Sequence, residues 1–294
     1  MELIQHPHWL GDKNVDFDYL YLPLALKSAT LSNPSLNVVY INANDSKLNI
    51  KGVTELPLAE VNDDLDKLSD YYLHLSPNQY LFELHSIQRH FVLRNAMRRL
   101  SIKSTFISEG DVLLLRPFQS VLGSEFSKDI DALLTDKNCV STGWVTLDYV
   151  EFYCDLVLKI YSTESLKQGI AKIYQDMQDK NQQGGICDMT FCHFINIEAY
   201  GFKNKLRVGD ICAPFHEHGQ KLIFDNFLPR LDIGGLKLKA GLCNYRKQMI
   251  KQLTIDNGTV LAETTDGELV EMASLHFQGQ SKRLISYYFS NALC

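Results

Sequence analysis

The sequence predicts an α/β fold: a mixed sheet flanked by helices, with a strand-rich C-terminal part. Up to about Gly201, short apolar runs alternate with stretches of helical periodicity, the pattern of strands covered by helices. Beyond that point, Asp256-Asn257-Gly258 and Asp266-Gly267 are hairpin signals between short apolar or alternating runs. A chain of 294 residues that is 45% apolar and 22% charged can bury a large core. No repeat, low-complexity tract or Pro/Gly-rich linker divides it. The change in element type places a boundary near 201, separating an α/β region 1–201 from a strand-rich region 202–294. One undivided domain 1–294 is the alternative.

The elements follow in order. An N-terminal strand precedes the segment HPHWLG. The run LNVVYIN, 36–42, is a buried strand, because β-branched and aromatic residues fill a short stretch bounded by Pro34 and the Asn44-Asp45 turn. A long helix begins after Ser76, with Pro77 at its first position and Gln79 closing a capping box, and runs to about Leu100. Tyr80, Leu84, Ile87 and Phe91 form its apolar stripe. Arg89, Arg94, Arg98 and Arg99 point elsewhere, most of them onto solvated surface, with room for one to face an anion. Strand-like segments 104–108 and 112–115 flank Glu109-Gly110-Asp111. Helices are expected over 147–161, over 165–179 with Gly184-Gly185 as its stop, and from Asp188 to Gly201. Runs 250–255, 259–264 and 268–277 read as antiparallel strands, and a helix over about 281–292 ends the pattern.

Composition excludes some functions. A formal charge of −6 argues against a general nucleic-acid binder, which needs a basic stripe. Seven cysteines without a C-x-x-C pair point to a reducing, cytoplasmic setting and no structural zinc. No stretch approaches the ~20 apolar residues that span a bilayer, which leaves only peripheral membrane contact through an exposed helix. The HEH segment at His216 to His218 lacks a third ligand at zinc spacing and reads as loop.

Two constellations can carry chemistry. Glu109 and Asp111 project from a turn at a strand's C-terminal end, where ligands of open α/β sheets bind, and suit a divalent cation. A bare E-x-D is also a common acidic turn. Near the C-terminus, His276, Gly279 and Lys282 stand in the pattern H-x-x-G-x-x-K after a strand. An imidazole can complete a metal's coordination, a glycine lets backbone amides approach a diphosphate, and a lysine adds charge where a leaving phosphate becomes negative. Asp188, where a glycine turn meets a helix start, is either an N-cap or a carboxylate beside an acceptor hydroxyl.

Together, FISEGDV and HFQGQSK resemble the D-x-D and H-x-x-G-x-x-K motifs of GT-A glycosyltransferases, whose fold is a Rossmann-like mixed sheet. The likeness is strongest to the retaining group that includes glycogenin and the galactosyltransferases of lipopolysaccharide synthesis. HLSPNQYLFELHSIQRHFVLRNAMRRL and GGICDMTFCHFI resemble segments of uncharacterised bacterial and viral glycosyltransferase-like proteins. The resemblance implies a metal-dependent hexosyltransferase of polysaccharide synthesis, with a nucleotide-sugar donor, a UDP-sugar favoured, and a glycan or glycolipid acceptor. It implies Mn²⁺, or Mg²⁺, held by Asp111 and His276, with Glu109 bound directly or beside it, and Lys282 on the departing diphosphate. A mixed oxygen and nitrogen set suits Mn²⁺ better than Mg²⁺. Glu109 stands where the family has its first aspartate, one methylene longer. Asp188 would be the general base of an inverting enzyme, or would bind sugar in a retaining one. The loop after the first strand faces the nucleotide in such folds, which makes His8 and Trp9 candidates for contact with the base; Asn42 and Asn44 are weaker ones. A catalytically silent binder of nucleotide sugar or glycan and a nucleotide-sugar hydrolase are the competing readings.

Overall fold

A computed structural model describes residues 2–5, 15–44, 47–118, 130–201, 205–217, 220–243 and 248–294. The first of these carry β1 (Glu2–Gln5), α1 (Val15–Ser32), β2 (Asn37–Asn42), β3 (Val53–Pro57), α2 (Leu65–Tyr71) and α3 (Tyr80–Arg99). Then come β4 (Ser104–Ser108), β5 (Val112–Leu114), β6 (Ala132–Thr135), β7 (Cys139–Thr146), α4 (Leu147–Ser162), α5 (Glu164–Asp179) and α6 (Asp188–Asn196). The remainder is mostly strand: β8 (Val208–Asp210), β9 (Phe215–Glu217), β10 (Gln220–Ile223), β11 (Asp232–Ile233), β12 (Leu236–Lys237), β13 (Ala240–Cys243) and β14 (Gln248–Lys251). It closes with β15 (Leu253–Asp256), β16 (Thr259–Glu263), β17 (Leu269–Met272), β18 (Ser274–His276) and α7 (Ile285–Ala292).

The fold is α/β, as the periodicity predicts. Seven strands form a mixed sheet in the order β3-β2-β1-β4-β7-β6-β8, in which β7 alone runs against the others. Side chains alternate across β2, so Val38 and Tyr40 enter one apolar cluster while Val39 and Ile41 enter the other. The second face packs on Ile87 and Phe91 of α3 and Val157 and Ile160 of α4. The first face packs on Leu22 and Leu26 of α1, and also on Leu222, Phe224, Val270 and Phe289 from the strand-rich part. One continuous apolar cluster therefore joins the C-terminal strands to the main sheet. No helix among the described residues is long and apolar enough to cross a membrane.

Several boundaries depart from expectation. Helix α3 starts at Tyr80 rather than Pro77, because the preceding turn finds its partners elsewhere: Ser76 Oγ accepts from Asn78 N–H (3.2 Å) and donates to Glu83 (2.8 Å), and Asn78 Nδ2 donates to Glu83 (2.5 Å). Arg94 is not solvated surface but buried, paired with Asp64 at 2.8 Å. Arg98 and Arg99 are exposed, paired with Glu151 and Glu60. Helix α5 ends at Asp179, with Lys180 as its cap and Asn181 in the left-handed region, ahead of the glycine pair. Residues 215–217 are strand β9, paired with β10, rather than loop; His218 lies outside the described residues. The run 281–292 is a 3₁₀ turn, Gly279–Leu284, followed by α7.

One departure positions the site. The run 268–277 is not a single strand, for the chain changes sheets at Ala273, whose N–H donates to Ile223 O (2.7 Å) while its carbonyl accepts from Leu115 (2.9 Å) and Arg116 (3.2 Å). Strand β18 thereby leaves the five-stranded sheet β15-β16-β17-β10-β9 and pairs with β5, with His276 opposite Val112.

Candidate functional site

The acidic turn is made by backbone bonds. Glu109 N–H donates to Ser141 O (2.8 Å) and Val112 N–H returns to Glu109 O (3.2 Å), so the chain reverses over Gly110 and Asp111. A Cβ on Gly110 would lie 3.0 Å from Leu22 Cδ1, so a larger residue at the tip would have to push that side chain aside. Asp111 O accepts from Phe277 N–H (2.9 Å), locking the turn to the end of β18. Two segments more than 150 residues apart in sequence thus meet through main-chain contacts before any side chain acts.

His276 is buried, and its Nε2 faces Glu109 Oε2 at 3.3 Å and Asp111 Oδ1 at 3.5 Å. These approaches are not aligned as hydrogen bonds, and Nε2 has no hydrogen-bond partner. Its other nitrogen, Nδ1, lies 3.1 Å from Asn226 O. A carbonyl only accepts, so Nδ1 carries a proton and the neutral ring presents a lone pair at Nε2. Ligand atoms of Glu109, Asp111 and His276 lie within 4.8 Å of one another. Burial opposes a charge on His276, but Asp111 and Glu109 outweigh it and hold its pKa well above the ordinary value. The same space that takes this proton could hold a divalent cation: it offers one imidazole lone pair and two acceptor-only carboxylates, Asp111 buried and Glu109 partly exposed.

Two permanent cations flank the cluster. Lys282 Nζ is 3.3 Å from Asp111 Oδ2 and 3.2 Å from the hydroxyl of Tyr21, over whose ring it sits at 4.4 Å. Arg89 bridges Glu109 through Nη1 and Asp188 through Nη2. Burial pushes the carboxyl of Glu109 up, yet Arg89, then His276, hold it well below the usual range. Asp188 is likewise lowered, with burial overcome by Arg89 and His90. Three carboxylates against two permanent cations leave one negative charge when His276 is neutral.

Asp188 is the first residue of α6, not its N-cap; Cys187 caps, and Thr190 closes the reciprocal bond. The turn before it is fixed by Gly185, where a Cβ would come within 2.5 Å of Ser76 Cα and 2.6 Å of Leu75 O. Gly279 opens the 3₁₀ turn at φ +56, with nothing within 4 Å of where a Cβ would stand. Asn42 is buried at the end of β2, donating to Glu55 (2.8 Å) and accepting from Asn44 N–H (2.8 Å), two strands and about 10 Å along the sheet edge from β4. His8 and Trp9 lie outside the described residues.

Sequence reasoning did not single out Arg89, which falls on the side of α3 opposite its apolar stripe. The second half of α3 is buried on most of its circumference, so that side faces α6 and the acidic turn instead of solvent. Nor did it find Asp225, Asn226 and Lys251, which carry no local motif. Asp136, Asp210 and Cys212 form a second cluster, but Asp210 already accepts from Asp136 N–H (3.0 Å) and Cys212 N–H (2.9 Å), and Asp136 pairs with Arg230.

No protein-family model matches this sequence, and no curated protein matches it. Among solved structures, mouse xyloside xylosyltransferase 1, apo form, is similar at 12% identity and a TM-score of 0.47, over 71% of this chain and 84% of that one. A cytidylyltransferase from Leptospira borgpetersenii is similar at 14% identity and a TM-score of 0.34, over 52% of this chain and 63% of that one. Likenesses of this size assign neither activity nor substrate.

Proposed function

We propose that the protein is a metal-dependent glycosyltransferase of the GT-A type, moving a hexose from a nucleotide diphosphate sugar to a hydroxyl of a glycan or glycolipid. The observation that supports this most directly is the convergence of His276 Nε2, buried and without a hydrogen bond, with the carboxylates of Glu109 and Asp111, with Lys282 against the same aspartate. Asp111 and His276 would hold the cation, with Glu109 as a third ligand or beside it. A bound Mn²⁺ or Mg²⁺ supplies charge neutralisation for the two phosphates of the donor. Lys282 extends positive charge beyond the carboxylates, and Gly279 leaves space for a diphosphate beside the 3₁₀ turn.

Asp188, kept ionised by Arg89 and His90, is a weak base for an acceptor hydroxyl. Its carboxylate is better suited to hold a sugar hydroxyl or to stabilise an oxocarbenium-like centre, and retention of configuration is the outcome we assign. A uridine nucleotide as donor, a cytoplasmic setting and peripheral contact with a membrane-borne acceptor complete the reading; the free thiols of six described cysteines agree with that setting. A silent nucleotide-sugar binder is the second reading. It is favoured by the commitment of one Glu109 oxygen and one Asp188 oxygen to Arg89.

A thermal-shift screen with UDP, GDP, CDP and their sugars, each with Mn²⁺ and with chelator, tests the reading. A ligand at 100 times its Kd adds about 2.7 kcal/mol, roughly 4 °C for a chain of this length. A Mn²⁺-dependent shift with one nucleotide family supports the shared site, and release of nucleoside diphosphate on adding acceptor separates transferase from silent binder. No shift with any of them in a folded sample overturns both.

A further inference from the structure

Among the described residues one lysine is completely buried, and it lies directly behind His276. Lys251, the last residue of β14, has no exposed side-chain surface, and its Nζ is 2.8 Å from Asp225 Oδ1, equally inaccessible. The ammonium donates to Phe227 O (2.5 Å) and Arg230 O, with Asn226 Oδ1 at 3.5 Å. The loop 225–230 is therefore wrapped around one charge. On its other side the same loop holds β18: Asp225 Oδ2 accepts from His276 N–H (2.9 Å), Asp225 N–H donates to Ser274 Oγ (3.0 Å), and Leu228 N–H donates to His276 O (3.0 Å). Asn226 O meets His276 Nδ1, and the ring of Phe227 stands edge-on to the imidazole at 6.4 Å.

We propose that Asp225 and Lys251 are positioning residues that fix the ring nitrogen His276 presents to Glu109 and Asp111. Lys251 draws the carbonyls of Phe227 and Arg230 inward, which leaves the carbonyl of Asn226 turned toward Nδ1. Nδ1 then keeps its proton in every state of the ring, and Nε2 is the nitrogen offered to the carboxylate side. The opposite tautomer would place an N–H between two carboxylates and remove the lone pair a cation needs. A lysine that only stapled a surface loop would not need to share its aspartate with the backbone of His276. This inference rests on the metal reading of the site for its consequence, but the orientation of the ring can be tested without metal.

The test pairs Asp225→Asn/Lys251→Met, which removes both buried charges together, with the wild type. In chelator, ¹⁵N spectra of the imidazole, assigned by comparison with His276→Ala, report which nitrogen is protonated at alkaline pH, where the ring is neutral. Wild type is expected to show Nδ1–H alone, and the double variant a mixture of tautomers. Titration of free Mn²⁺ by its paramagnetic resonance should show a Kd raised about 10- to 100-fold in the variant, with the far-UV spectrum unchanged. A wild-type ring protonated at Nε2 overturns the proposal by itself, whether or not the variant folds. A folded variant with wild-type tautomer and wild-type Mn²⁺ affinity also overturns it and leaves Lys251 as a loop staple. If wild type binds no Mn²⁺ yet shows the expected change of tautomer, the positioning stands and the metal reading fails.

Discussion

Replacing Arg89 with methionine removes one guanidinium from between two carboxylates. Arg89 is 13% exposed, and Glu109 and Asp188 are 20% and 7% exposed, so water compensates for little of the loss. Breaking a largely buried ion pair by deleting one partner costs about 3–5 kcal/mol. For a chain of this length that is a fall in Tm of roughly 5–8 °C. The pH dependence is specific to the arrangement. In the wild type, Arg89 holds both carboxyls below their ordinary values, so their contribution to stability is present at neutral pH and is lost as pH falls through those lowered values. In the variant, burial is opposed only by His276 at Glu109 and by His90 at Asp188, so both carboxyls move up, take up protons more readily as pH falls, and the cost of burying their charge fades on acidification. Urea denaturation at pH 7 and at pH 4.5 should show the gap between the two proteins largest at pH 7 and markedly smaller at pH 4.5. A gap below about 1 kcal/mol at pH 7, or one that does not narrow on acidification, would refute the clamp.

Asp111→Asn and His276→Ala should each abolish the melting shift produced by Mn²⁺ together with nucleotide, whereas Glu109→Asp should retain most of it; full turnover by Asp111→Asn in chelator would remove the metal from the mechanism. Lys282→Ala should weaken UDP binding about ten- to a hundredfold, the loss of a charged hydrogen bond, and weaken UMP binding less. Equal losses, measured by calorimetry, would show that Lys282 does not touch the outer phosphate. Gly185→Ala should destabilise by about 1–3 kcal/mol through overpacking, since its Cβ would meet the backbone of Leu75 and Ser76. An unchanged urea midpoint would show that the turn shifts freely and does not fix Asp188.

Local chemistry sufficed for the elements whose signals are short in range. The β-branched run at 37–42, the glycine hairpins at 256–258 and 266–267, and helices α4 and α5 lie within a residue or two of expectation, because strand and helix periodicities act over a few residues. The acidic turn and the C-terminal histidine, glycine and lysine were legible as motifs for the same reason. The tertiary structure decided how they meet. Ala273 breaks an apolar run that reads as one strand, because its N–H and carbonyl bond to two different sheets, and this carries His276 to Asp111. Arg89 reads as solvated surface from its helix alone; only the packing of α6, 99 residues later, turns it into the clamp between Glu109 and Asp188. Lys251 carries no signal of its own within the run 250–255, and only the folding of the loop 225–230 around it gives its charge a role. Sequence periodicity reports which face of an element is apolar, whereas the partner of a buried charge depends on the positions of distant chain segments, and only the assembled core sets those.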